Sequence, residues 1–150
     1  MPERIILPNE ILLSRAEQTV SEGKVAIIPV KGQSMFPFIH GDRDRVELYP
    51  PTNLAKGDVV LARLKSNKYI LHRIIRFDGE KGVVLMGDGN RHEKEYCYIE
   101  DIKAKALTIV SPKGGRRRLD SASMKLSSQI WNFCLPIRGF LLRILWLIYF

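Results

Sequence analysis

Residues 30–42 read Val-Lys-Gly-Gln-Ser-Met-Phe-Pro-Phe-Ile-His-Gly-Asp. An apolar run, Val25 to Val30, leads into this stretch. Gly32 frees the backbone just before Ser34, and Pro37 fixes a turn just after it. Ser34 therefore stands where a strand ends, with its hydroxyl on display. A nucleophilic serine needs that exposure, together with backbone N–H groups aimed at the developing oxyanion. An ordinary serine at a strand-to-turn junction has the same local pattern, and that pattern alone favours it.

On either side the texture is short strands and turns. Val25–Val30, Arg45–Tyr49, Asp58–Leu64, Lys68–Phe77, Gly82–Met86 and Ala104–Val110 are rich in Val, Ile, Leu and Tyr, each bounded by Gly, Asp, Asn or Pro. Six short strands at this spacing predict a compact, mainly β, barrel-like domain. Before them, Asn9 is a good N-cap, and Ile11, Leu12, Ala16, Thr19 and Val20 recur at helical spacing until Gly23. Residues 1–23 are therefore read as an N-terminal helical segment without an export signal or anchor, and residues 24–111 as the β domain.

Two further residues carry chemical interest. His72 lies in Tyr-Ile-Leu-His-Arg-Ile-Ile, sharing a strand face with Ile70 and Ile74. It reads either as a satisfied core histidine or as a partly desolvated general base. Asp88 stands in Gly-Asp-Gly-Asn at a strand end. There it either bonds the turn backbone or orients a nearby imidazole. His40 and His92 are expected to be exposed loop residues.

The 150 residues contain 24 Lys+Arg, 16 Asp+Glu and only two Cys. This fits one domain, and Cys97 and Cys134 supply neither a disulfide framework nor a zinc site. Residues 1–110 are nearly neutral, with 17 Lys+Arg against 15 Asp+Glu, whereas residues 111–150 carry seven Lys+Arg and the single acid Asp120. A near-neutral domain does not ask for nucleic acid. Residues 112–126 read as a basic linker, with Lys113, Arg116, Arg117, Arg118 and Lys125 suited to anionic lipid. Residues 127–150 predict an apolar or amphipathic helix rich in Trp, Tyr and Phe, interrupted by Arg138 and Arg143. Such a helix suits a membrane interface, with residues 1–110 on the cytoplasmic side, or packs on the domain or on a second copy. Nothing in the sequence fixes an oligomeric state.

Order and spacing join these signals. Gly32-x-Ser34-Met35-x-Pro37, Gly41-Asp42, Gly57-Asp58-Val59-Val60, His72-Arg73 and Gly87-Asp88-x-Asn90 resemble the ordered boxes of the signal peptidase I family, whose clan includes the self-cleaving LexA-type repressors. The resemblance covers about residues 25–91. It implies a signal-peptidase/LexA-like β-domain, to which the residue patterns on either side add an N-terminal and a C-terminal helix. It implies a serine endopeptidase for leader- or signal-type peptides, with a preference for small residues before the cut and no metal or other cofactor.

Carried over by position, Ser34 becomes the nucleophile. His72 takes the place of the usual bacterial Lys, as in the archaeal and endoplasmic-reticulum branch. Gly32, Met35 and Pro37 fall in the substrate-binding and oxyanion region. The acid of that branch lies beyond Gly-Asp-x-Asn, where this chain reads Arg91-His92-Glu93-Lys94 without an Asp. Asp88 is therefore expected to orient the imidazole, with Glu93 in reserve. Two other readings compete: an inactive β-domain that binds or scaffolds at the membrane, and a self-cleaving regulator. The second is disfavoured because neither Ala-Gly nor Cys-Gly occurs in the chain.

Overall fold

The computed structural model describes residues 9–150. Expectations for residues 1–8 lie outside these. Helix α1 (Asn9–Ser21) buries Leu13, Ala16 and Val20. Just past its end stands Gly23, whose φ of 81° suits the left-handed close of a helix.

Seven strands form one antiparallel path: β1 (Ala26–Pro29), β2 (Arg45–Tyr49), β3 (Val59–Arg63), β4 (Tyr69–Asp78), β5 (Gly82–Met86), β6 (Glu95–Tyr98) and β7 (Ile102–Val110). Their spatial order is β1-β2-β7-β3-β4-β5-β6, and β8 (Arg116–Arg118) pairs with the end of β7. All six predicted strands are present. β6 and β8 are additions.

The central strands are buried on both faces. Along β3, Val59 and Leu61 enter one apolar cluster with Met35, Ile39 and Ile109, while Val60 and Ala62 enter the other with Ile74 and Leu85. This explains why β3 reads as a continuous apolar run rather than an alternation. Bulges between Glu47 and Leu48, Leu61 and Ala62, and Ile74 and Arg76 shift the register locally.

The stretch expected to be a basic linker is tied to the sheet. Arg116 pairs with Glu47, Arg117 lies 3.8 Å from Asp44, and Arg118 pairs with Asp120 at 2.8 Å. After it come two helices rather than one: α2 (Ala122–Phe133) and α3 (Arg138–Tyr149). Ser121 caps α2 by accepting from the Met124 N–H at 3.2 Å. Pro136, which has no N–H to give to a helical ladder, lies in the short 3-10 turn Leu135–Ile137 at the break.

The pair is docked on the domain by its inner face. Phe36, Trp131 and Leu142 form a third buried cluster. The Trp131 indole donates to the Asp88 carbonyl at 2.8 Å. Arg138, 2% exposed, donates to the Asn90 carbonyl at 3.1 Å and to Asn132 Oδ1 at 3.2 Å. No single helix among the described residues is long and apolar enough to cross a membrane. Ala122–Phe133 and Leu135–Tyr149, bent by 66°, satisfy length and apolarity only together.

Candidate active site

Ser34 sits in the turn that follows β1, half-buried, as its flanking Gly and Pro predict. The turn is held from both sides. Gly32 adopts φ 71°, and its carbonyl lies where a Cβ on Gly41 would fall, so the two arms of the loop touch through backbone. The Ser34 carbonyl accepts from the Gly89 N–H at 2.8 Å, which ties the turn to the 87–90 segment after β5.

That segment brings Ser34 and His72 together. A Cβ placed on Gly87 would collide with the Ser34 carbonyl and stand 3.1 Å from His72 Nε2. Both residues therefore crowd the same point, and only a hydrogen at Gly87 leaves room for them. His72 is on β4, opposite Val60 of β3, and is 6% exposed. Its Nδ1 lies 2.8 Å from Oε2 of Glu95, the first residue of β6. With the carboxylate ionised, Nδ1 carries the proton and donates to it. This leaves Nε2, on the Gly87 and Ser34 side, as the basic atom.

Ser34, His72 and Glu95 all line one cleft of about 380 Å³, whose walls include Ile28, Leu61 and Leu71. Lys31, Lys68, Asn90 and Glu93 add polar groups. A larger cleft, about 720 Å³, lies by Lys65, Lys81 and Tyr98 and has neither Ser nor His in its lining. Its Cys97 is no nucleophile at neutral pH, because burial pushes the thiol up to about 11.

The orienting acid is where sequence reasoning and geometry part. Asp88 faces Arg73, not His72. It accepts from Arg73 Nε at 2.9 Å and from Nη2 at 2.7 Å, and Arg73 Nη1 donates to the Gly57 carbonyl at 2.8 Å. Both side chains of the pair are almost wholly buried. A fork of this kind engages both carboxylate oxygens, and among the described residues no hydrogen bond joins Asp88 to His72. Glu93, the reserve, is exposed and accepts from the neighbouring His92 N–H, and backbone N–H bonds hold its carboxyl below its usual value. Glu95 was not among the sequence candidates. Its signal was the alternation Glu-Tyr-Cys-Tyr, a short strand pairing with Gly82–Leu85.

The other expected site residues also separate. Met35, 1% exposed, is a core residue, so its side chain is not available to a substrate. Gly32 and Pro37 shape the turn around Ser34 but are not in the cleft lining. His92 is exposed as expected. His40 is buried, packed edge-on to Phe36 and against Tyr149 and Phe150 of the C-terminal end. The turn that carries Ser34 is thus covered from behind by the helix pair.

Residues 3–110 match the family model described as Peptidase S24-like. The match spans β1 to β7 and the site and stops before β8 and the two C-terminal helices. No curated protein matches the chain.

Proposed function

The chain belongs to the Peptidase S24-like family, and from that premise we propose that it is a serine endopeptidase cutting leader- or signal-type peptides. One observation carries the reading: Ser34 and a carboxylate-bound histidine line a single cleft, with the Ser34 backbone carbonyl and His72 Nε2 both packed around Gly87.

In the proposed reaction a peptide lies in the cleft with its scissile carbonyl at Ser34. His72 Nε2 takes the hydroxyl proton as Oγ attacks, and the oxyanion forms near the Ser34 N–H. Glu95 holds the imidazole in the right tautomer and stabilises the imidazolium. Collapse of the tetrahedral intermediate breaks the C–N bond, and the imidazolium gives its proton to the departing amine. An ester on Ser34 remains. Water, deprotonated by His72, then attacks this ester, and Ser34 regains its proton on release of the acid product. The partly buried Tyr69 and Leu71 of the cleft lining suit an extended apolar segment of the kind found in leader peptides.

The test is co-expression of a panel of leader-bearing peptides with the wild-type chain or with Ser34→Ala, followed by mass spectrometry of the peptides. A new terminus that depends on Ser34 supports the reading. Identical peptide masses in both backgrounds across the panel would leave the chain as a binding domain built on a peptidase fold.

A further inference from the structure

The docked face of the helix pair leaves the opposite face uncovered. Phe133, Leu147, Ile148 and Phe140 are 88%, 85%, 68% and 66% exposed, and Ile130 and Ile137 are each 55% exposed. Isolated apolar residues at a surface are ordinary, but six of them gathered within residues 130–148 mark an interaction surface.

Charge identifies its partner. Residues 121–150 contain no Asp or Glu. A groove of about 690 Å³ borders this face along α3: Leu147 of the exposed set, Trp146, Phe150 and the inner-face Leu142 are its apolar lining, and Arg91 and Arg143 are the charged side chains in it among the described residues. Arg91 reaches this groove by packing against Gly139, where a Cβ would collide with its guanidinium. Arg91 and Arg143 form no ion pair among the described residues, in contrast to Arg116, Arg117 and Arg118. Unpaired guanidinium groups beside an apolar, Trp-containing groove match the two halves of an anionic lipid, its phosphate and its acyl chains.

Length sets the orientation. Each helix has 12 residues, about 18 Å, against a hydrocarbon core of about 30 Å. The bent pair can lie along an interface but neither arm can span it.

We propose that the outer face of α2 and α3 is a docking surface for an anionic bilayer, with Arg91 and Arg143 receiving lipid phosphates. The assignment does not rest on the peptidase reading. It puts the cleft beside the bilayer, since Asn90 and Glu93 line the cleft and Arg91 lines the groove.

Vesicle flotation of the full chain tests it, with phosphatidylglycerol-containing vesicles compared with pure phosphatidylcholine at low and high salt. The wild-type chain floats with the anionic vesicles, less so at high salt. Arg91→Gln and Arg143→Gln each weaken that binding about fivefold. Phe133→Ser combined with Leu147→Ser, both at exposed positions, abolishes it while leaving the thermal transition in place. Equal binding by the Arg91→Gln/Arg143→Gln chain, or no flotation of wild type, overturns the proposal. So does a dimer in light scattering that binds no vesicles and is dissociated by the Phe133→Ser/Leu147→Ser pair, which would give the face to a second copy.

Discussion

His72 Nδ1 lies 2.8 Å from Glu95 Oε2, and this contact joins β4 to β6 across β5. It selects which imidazole nitrogen faces Ser34. Glu95 is 22% exposed at its side chain, so removing its charge strands little in the interior. Glu95→Gln is expected to lower kcat by roughly 10²–10⁴-fold, with little change in thermal stability. Steady-state kinetics paired with a melting curve checks this. Unchanged kcat would remove Glu95 from the mechanism.

Asp88 is expected to show the opposite signature. Asp88→Ala leaves the Arg73 guanidinium buried without its carboxylate, a change that costs roughly 3–5 kcal/mol. Denaturant unfolding measures it directly. A loss of activity at full stability would instead return Asp88 to the catalytic group.

Gly87 separates site geometry from its chemistry. Gly87→Ala adds one methyl that the Ser34 carbonyl and His72 Nε2 both exclude. Because the Ser34 carbonyl is backbone, the turn itself must move. A displacement of this kind is expected to reduce turnover by about 10²-fold, although no ionisable group is altered. Activity equal to wild type would mean that Ser34 and His72 do not work at this separation.

His40 carries a pH dependence. Burial, assisted by the nearby Arg43, holds its imidazole below the ordinary value of 6.5, while Asp44 opposes this. The unfolded chain thus binds the His40 proton more readily than the folded one. The stability it contributes is present in full above about 6.5 and is lost as pH falls from there through the lowered folded value. His40→Leu is expected to flatten that part of the stability profile, read from denaturant midpoints between pH 7.5 and 5. A variant profile parallel to wild type would contradict this.

The sequence carried the strands whose apolar runs are continuous, because two-sided burial leaves few polar residues within them. It offered Ser34 and His72 as candidates through turn chemistry and box order, and the two line one cleft. Glu95 escaped because β6 is an edge strand of four residues whose Tyr96 and Tyr98 face outward, so it has little apolar signal of its own. Asp88 was misplaced because spacing does not reveal that Arg73, the neighbour of His72, reaches the same turn from β4. The basic run 116–118 looked like a linker because its partners, Glu47 and Asp44, lie about 70 residues earlier. The helix break was legible in Pro136, but the apolar run around it masked it.

The central claim is that Ser34 is acylated by its substrate. Rapid acid quench during cleavage of a processed leader peptide, followed by tandem mass spectrometry of the protein, tests it. The expected result is the N-terminal peptide fragment joined as an ester to Ser34, absent from Ser34→Ala. Cleavage that persists in Ser34→Ala, with no adduct on Ser34 in the wild-type chain, would contradict it.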